Sequence, residues 1–466
     1  MQNVAASVDE QIVRIRKKLI RVKNKDKNFD VFGSKKHQYN LNKPLSSEEI
    51  ELFEIINNIK IPFEYRMFLS TLGNGGAGPY YGIYGLDLHK KDKYLSEPCK
   101  ICPSLSDWDW QSITSFRDDN SITDNEYDKS YESLFQGMLS IGTQGSTYNM
   151  MLIVNGDYYG RIVYVDEDLQ KPFFTYESNF LDWYERWLEE ILQEYTMNWF
   201  GMSMGGNDTE LIKIFNESQI EKTKIDAIQG MHKLPSLLDT SISFLEDQCY
   251  NGSDSIKNAA LGLLTKHSFS KAKQILIKFL ACDDDVKRLI AVQYIHWYAG
   301  SNTNEVRDPV KNILSNMSLS SESFRFTTYI LEKCTHVDFS DFVPFFYNSD
   351  KKIRRQALYT VGKAKDKRKY LKDFIHCLED SEPTVVHSAV QALEGLTDPA
   401  LLPYYNKLLE KYKSNEYYIR NNVELRLREF DSRTKKQDFH TMKVSKTSVD
   451  KTGMVERFLK TFVFRK

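Results

Sequence analysis

The stretch IPFEYRMFLSTLGNGGAGPYYGIYGLD, residues 61–87, decides between two folds for the N-terminal part of the chain. Within it, GNGGAG at 73–78 matches G-x-G-x-x-G, the spacing that cradles the pyrophosphate of a dinucleotide. That site requires a strand before the glycines and a helix after them, because the N-terminus of the helix meets the phosphate. The residues on either side of the glycines therefore determine how the motif is interpreted.

In this chain the order is reversed. Pro62 suits the first turn of a helix, and apolar residues follow at i, i+3, i+4 and i+7, namely Tyr65, Phe68, Leu69 and Leu72. The residues after the glycines, PYYGIY at 79–84, are typical of a strand. We therefore expect no nucleotide cofactor. The pattern predicts a structural turn at Gly73, Gly75, Gly76 and Gly78, in which Gly73 closes the helix in the left-handed conformation.

The flanking segments add further elements. Ser46 and Glu49 form a capping box at the start of a helix, and Asn155-Gly156 separates two short apolar runs, as the turn of a hairpin does. FLDWYERWLEEIL then places six large residues along one helical face, namely Phe180, Trp183, Tyr184, Trp187, Leu188 and Ile191. The predicted order is helix, helix, glycine turn, strands and a closing aromatic helix.

The segments PLSSEEIELFE, IPFEYRMFLSTLGNGGAGPYYGIYGL, SIGTQGSTYNMMLIVNGDYYGRIVYVD and FLDWYERWL together resemble the SUKH superfamily, which includes the yeast cell-wall assembly regulator family. The resemblance covers residues 40–195 and implies an α+β domain with a twisted antiparallel sheet packed by helices. In bacteria it implies an immunity protein that binds and neutralises a toxin, often a nuclease, and it implies no catalytic residues. Two features depart from the family. Ser146 stands where relatives often have cysteine, and the stretch LSEPCKICP at 95–103, which is usually apolar and proline-rich, carries cysteines here.

The second half of the chain shows an internal repeat. IRRQALYTV from Ile353 and VVHSAVQAL from Val385 place alanines and apolar residues at matching positions, and adjacent copies begin roughly 30–34 residues apart. This run resembles HEAT-type repeats, which implies an all-α solenoid. We therefore predict a basic N-terminal helix or extension at 1–39, a SUKH-like domain at 40–200, a glycine-rich linker at 201–208, a HEAT-like solenoid at 209–432, and a basic tail or capping helix at 433–466.

Charge is distributed unevenly along the chain. Residues 31–200 hold 14 basic and 26 acidic residues, a net charge of −12, whereas residues 433–466 hold 10 basic and 3 acidic, a net charge of +7. Six cysteines in 466 residues are too few for a disulfide framework and suit reduced thiols. No apolar run approaches the length that crosses a bilayer, and we expect a cytoplasmic protein without a membrane span.

Catalytic motifs are lacking, and we expect no enzyme. Cys99 and Cys102 form a C-x-x-C pair without further zinc ligands nearby, and a metal or redox site there is the weaker reading. The acidic run 166–168 ends a strand and could ligate a cation, but an exposed turn is the favoured interpretation. We predict neither a cofactor nor a metal site.

Residues 106–128, SDWDWQSITSFRDDNSITDNEYD, interleave tryptophan with acid. The simpler interpretation is that both tryptophans are core residues beside a solvated loop. The functional interpretation is a surface for a basic partner, because tryptophans ringed by charge are typical of interface hot spots. It assigns partner binding to Asp107, Trp108, Asp109, Trp110, Asp118, Asp119 and Asp124.

The leading functional hypothesis is therefore an immunity protein that neutralises a protein toxin, such as a basic nuclease, by binding alone. One alternative is a regulatory scaffold that gathers partners on the solenoid. A weaker alternative is a nucleic-acid-acting HEAT-repeat enzyme, which the balanced charge of residues 201–432 (31 basic and 31 acidic) disfavours.

Overall fold

The computed structural model of the chain describes residues 2–315, 319–412 and 416–430. Two compact units are present, Met1–His267 and Ser268–Lys466. The first contains an antiparallel sheet with helices, whereas the described part of the second contains helices and no strand. The predicted order of an α+β region followed by an all-α region is confirmed. The predicted tail at 433–466 lies outside the described residues.

The first unit begins with helices α1 to α6 and continues with strands β1 to β4 and helices α7 to α11. The bounds of the first six helices are Gln2–Lys25, Ser34–His37, Ser47–Asn57, Phe63–Met67, Asp107–Ile113 and Asp124–Leu134, with a π-helical turn at Phe68–Leu72 after α4. The strands span Met138–Gly145, Tyr148–Ile153, Ile162–Asp166 and Phe173–Phe174. Helices α7 to α11 span Phe180–Leu192, Asp208–Glu217, Glu221–Gly230, Asp239–Asn251 and Asp254–His267.

The four strands pair in sequence order, β1-β2-β3-β4, and all pairs are antiparallel. The hairpin predicted around Asn155-Gly156 joins β2 to β3 and is confirmed. Successive residues of β2 enter different clusters: Met150 and Leu152 pack in one, and Met151 and Ile153 in the other. Because side chains alternate along a strand, the sheet is buried on both faces.

The first sheet face is covered by α1, α3, α4 and α7. All six residues of the predicted aromatic face of α7 are buried, so that prediction is confirmed. The basic helix α1 lies against α7 through its apolar positions Ile12, Ile15, Leu19 and Val22, which are also buried. Two of its cations pair with the same helix, since Arg14 and Lys18 both donate to the carboxylate of Glu185. Helix α1 is therefore a packed part of this layer.

The glycine loop follows the π-helical turn and joins three backbone segments. Gly76 forms bridges to Leu41 and to Ile83, and Ile83 in turn bridges to Gly142 of β1. A Cβ atom on Gly76, whose φ is 105°, would lie 2.5 Å from the backbone oxygen of Asn40. The prediction for Gly73 is wrong in one respect, because its φ of 170° is extended rather than left-handed. The π-helical turn already closes the helix, with the Gly73 N–H bonded to the Phe68 oxygen.

The predicted linker 201–208 is packed inside the first unit, and the division into units falls after His267. A Cβ atom on Gly201 would lie 2.2 Å from the hydroxyl of Tyr164. Arg186 of α7 donates to the backbone oxygen of Ser203 at 2.6 Å. Glu190 forms ion pairs with Arg186 at 2.8 Å and with Lys233 at 3.1 Å. Buried charges need such partners, so this network ties α7 to the chain that follows it.

The second unit contains helices α12 to α19, which span Phe269–Ala281, Asp285–Tyr298, Arg307–Asn312, Ser321–Lys333, Lys351–Val361, Leu371–Leu378, Pro383–Ala392 and Leu402–Lys411, and a further helix at 417–430. Helices α13, α15, α16 and α18 contact one another in that order. The matching repeat positions Ala357, Val361, Ala389 and Leu393 are all fully buried. A Cβ atom on Gly362 would lie 2.9 Å from Ala392, which shows how closely α16 and α18 approach.

Candidate functional site

The acidic segment predicted as a partner site forms the cover of the second sheet face. Helices α5 and α6 both begin at capping boxes, Ser106 with Asp109 and Thr123 with Glu126. Hydrogen bonds from the Ser106 hydroxyl and backbone lower the pKa of Asp109, and the same contacts from Thr123 lower the pKa of Glu126. Carboxylates at helix N-termini also interact favourably with the positive end of the helix dipole. Part of the acidity of this segment therefore serves to start two short helices.

Trp110 fastens α5 to the sheet. Its ring is buried among Met151, Val163 and Val165, and its indole Nε1 donates to the backbone oxygen of Leu169 at 2.8 Å. The assignment of Trp110 to partner binding is therefore wrong, because its surface is already covered by the chain's own core. Trp108 has the opposite environment and is 73% exposed. Residues two apart on a helix point in nearly opposite directions, so only one of the two rings could face the sheet.

The turn after β3 lies beside α5 and α6. Lys171 pairs with Asp107 at 2.8 Å, and the Tyr131 hydroxyl donates to the backbone oxygen of Glu167 at 3.4 Å. Glu167 and Asp168 are exposed there, whereas Asp166 is buried and accepts the Asp168 N–H at 3.2 Å. The structure thus joins two acidic segments that are separate in the sequence. We call the exposed residues of 106–132 together with Glu167 and Asp168 the acidic face.

The acidic face keeps a negative excess after its internal pairs are counted. Residues 106–132 contain 8 acidic and 2 basic residues, a net charge of −6. Asp118 pairs with Arg117 at 3.5 Å, and Asp119 accepts hydrogen bonds from Ser121, whose hydroxyl and N–H lower the pKa of Asp119. Within the described part of the chain, the carboxylates of Asp124 and Asp128 make no hydrogen bond or ion pair. An exposed tryptophan therefore lies on a helix whose surroundings carry uncompensated negative charge.

The cysteine pair Cys99 and Cys102 precedes α5 in the chain, and Cys99 packs against the same cluster as Trp110. Cys99 donates weakly to the Ile101 oxygen, and Cys102 lies 3.3 Å from the Ser104 hydroxyl. Burial raises the pKa of the Cys99 thiol, which disfavours the thiolate that redox or metal chemistry needs. Over residues 2–315, 319–412 and 416–430, no three histidine, cysteine or acidic side chains converge as a metal site would require. None of the helices in these ranges is both long and apolar enough to cross a membrane.

Comparisons with known proteins add little. No family model matches the sequence, and no curated protein matches it. Among solved structures, the crystal structure of an engineered protein is similar over 48% of this chain and 96% of its own, with 12% identity and a TM-score of 0.23. A TM-score this low does not establish a shared fold.

Proposed function

We propose that this protein binds and neutralises a basic protein toxin, and that the acidic face is the surface that holds it. The observation that carries the proposal is the exposed ring of Trp108 on α5, which Trp110 fixes to a buried sheet, in a segment whose α6 carries uncompensated carboxylates. An aromatic anchor on a rigid support loses little entropy on binding, and the surrounding charge selects the partner. The proposal includes no catalytic step.

A basic nuclease is the toxin class that suits this surface. A nuclease must present cations to the phosphates of its substrate, so its active-site face is positive. Opposite charge accelerates association and directs the partner to the same face that nucleic acid would occupy. Binding there would block the nuclease without any chemistry by the inhibitor.

The sequence resemblances belong to the same proposal. We take residues 40–200 as a SUKH-like domain with a twisted sheet and residues 209–432 as HEAT-like repeats, in a cytoplasmic protein. The resemblance to immunity proteins and the charge of the acidic face point to the same class of partner by separate routes. The lack of a recognised catalytic motif agrees with a role in binding.

The decisive experiment begins with the reading frames beside this gene, where the proposal expects a nuclease toxin domain, and purifies that domain. Its nuclease activity should be inhibited by the purified protein, and co-expression should restore growth of a bacterial host. Trp108→Ala should weaken binding by about 2 kcal/mol or more, mainly through faster dissociation. Undiminished nuclease activity in the presence of saturating protein would reject the function outright, and capture of host proteins instead would favour the regulatory scaffold.

A charge-reversal pair tests whether the acidic face is the binding surface. Asp118→Lys with Asp128→Lys should slow association by about tenfold at low salt, and less at high salt. The matched control reverses two exposed carboxylates elsewhere in the first unit: Asp157, at the opposite end of the β2–β3 hairpin, and Asp9 of α1. Equal slowing by both pairs would show that net charge matters and that this face does not.

A further inference from the structure

A cleft of about 980 Å³ lies on the first unit, between the two hydrophobic clusters of the sheet. Its floor consists of buried apolar side chains from three parts of the chain, including Phe53, Leu86, Leu95 and Met138. Ser140 of β1 and the exposed Tyr84 lie on its wall. The volume is at the upper end of the range of roughly 300–1,000 Å³ typical of ligand sites.

The cleft opens where the outer edge of β1 loses its partner. Along residues 141–143 that edge is covered by backbone hydrogen bonds. The N–H of Tyr84 donates to the Ile141 oxygen at 2.8 Å, and the N–H of Tyr81 donates to the Thr143 oxygen at 3.5 Å. The covering segment does not continue the pairing, because the side chain of Asn74 bonds to the backbone of Leu86. The Leu86 N–H donates to Asn74 Oδ1 at 2.6 Å, and Asn74 Nδ2 donates to the Leu86 oxygen at 3.4 Å. With its N–H and oxygen engaged by Asn74, Leu86 cannot continue the ladder.

The register of the sheet shows which backbone groups remain on this edge. Ile153 bonds across the hairpin to Gly160 and Arg161, so its backbone groups face β3. Backbone direction alternates along a strand, so Met151, two residues earlier, also faces β3. Ser140 of β1 lies opposite Met151 of β2, and because the backbone groups of Met151 face β3, these two residues form a non-hydrogen-bonded pair. The N–H and oxygen of Ser140 therefore point outward, to the cleft.

The rim of the cleft carries three lysines and three carboxylates, so its formal charges balance, but they are not all paired with one another. Asp92 accepts the Tyr94 N–H, Asp87 accepts the His89 N–H, and Glu132 pairs with Lys93 at 3.6 Å. Lys90 and Lys91 are exposed, and their ammonium groups make no ion pair or hydrogen bond within the residues that the structure describes. The buried side chain of Asn57 fixes their loop by bonding to the Lys90 oxygen and the Asp92 N–H.

We propose that this cleft binds an extended segment of a partner protein, which adds to the edge of β1 at Ser140. The segment places an apolar side chain over Phe53, Leu95 and Met138 and a carboxylate near Lys90 and Lys91. Strand addition supplies affinity through the backbone, and the pocket and the lysines supply selectivity. This site borders the acidic face at Glu132, which pairs with Lys93, but its lysines Lys90 and Lys91 would select a segment that carries a carboxylate.

Selection from random linear peptides displayed on phage tests the proposal. The intact protein should enrich peptides in which apolar residues alternate with others and at least one residue is acidic. A fluorescently labelled synthetic copy of an enriched peptide should bind measurably, and N-methylation of the backbone at alternate residues should weaken it by about tenfold in one register only. Enrichment of no peptide, or equal binding of both N-methylated registers to the unmodified copy, would overturn strand addition.

Two pairs of variants locate the peptide in the cleft. Lys90→Glu with Lys91→Glu should weaken binding by about fivefold or more, because each lysine loses an ion pair and gains a repulsion. The matched control, Lys43→Glu with Lys100→Glu, makes the same change of charge at exposed lysines outside the cleft and should leave affinity unchanged. Equal effects of the two pairs would overturn the proposed location. All four side chains are exposed, so the melting temperatures should match that of the wild type.

Discussion

Trp110 and Leu169 are 59 residues apart in the chain, and a hydrogen bond of 2.8 Å joins the indole Nε1 of the first to the backbone oxygen of the second. This contact attaches α5 to the turn after β3 and thereby gathers the acidic face. Trp108, on the same helix, is left in solvent. Trp110 is therefore a structural residue, whereas the ring of Trp108 makes no such contact with the sheet.

The two tryptophans should differ in their effect on stability. Trp110→Ala removes a buried ring and should lower the free energy of unfolding by roughly 3–5 kcal/mol. Trp108→Ala removes an exposed ring and should change it by less than about 0.5 kcal/mol. Chemical denaturation of both variants measures the difference. Comparable losses would show that Trp108 is also packed in solution.

The glycine loop should reject a single methyl group. Gly76→Ala forces a Cβ atom to 2.5 Å from the Asn40 oxygen at a φ of 105°, so it should destabilise the first unit by more than about 1 kcal/mol. Gly160→Ala is the control, because Gly160 also has a positive φ of 87° but its nearest neighbour to the added Cβ atom is 3.7 Å away. Thermal melting should show the larger loss for Gly76→Ala. Equal losses of melting temperature in the two variants would show that the positive φ, and not the close approach of the Asn40 oxygen, causes the destabilisation.

The docking of α1 should depend on pH through Glu185. Burial alone would raise the pKa of this carboxylate, but hydrogen bonds from Arg14 and Lys18 outweigh it and lower the pKa below the ordinary value. A lowered pKa in the folded state means that the stabilisation is present above the ordinary glutamate range and is lost as the pH falls through the folded value.

Urea denaturation at neutral pH and at about pH 4 measures this dependence. Glu185→Gln should be less stable than the wild type at neutral pH, and the difference should shrink in acid. A difference that is constant across this range would mean that the Glu185 contacts do not contribute through charge.

The segment 201–208 should resist proteolysis in spite of its glycines. Gly201 lies against Tyr164, and the buried network of Arg186, Glu190 and Lys233 spans both sides of the segment. A fragment of residues 1–200 would lose Lys233 and the Ser203 oxygen and leave charge poorly paired, which is strongly destabilising. A fragment of residues 1–267 should therefore melt at a higher temperature. Rapid cleavage at 201–208 followed by a stable 1–200 product would contradict this.

Local patterns in the sequence were sufficient for the individual elements. The aromatic face of α7, the Ser46–Glu49 capping box and the hairpin at Asn155-Gly156 depend on spacing over a few residues, and the structure has each of them. The helix before GNGGAG likewise needed only neighbouring residues, but the strand predicted at 79–84 is wrong, because that segment forms only isolated bridges at Ile83. Helical periodicity could also have separated Trp108 from Trp110, because residues two apart cannot face the same side.

Contacts between distant residues were decided only by the tertiary structure. The sequence does not show that Leu169 accepts from Trp110, that Asn74 ends the pairing along β1, or that Lys233 reaches Glu190, because each contact joins segments that no local pattern relates. The glycine-rich stretch 201–208 has the composition of a linker, yet buried charges hold it in the first unit. Composition reflects local backbone freedom, whereas burial and pairing with distant groups determine whether that freedom is used.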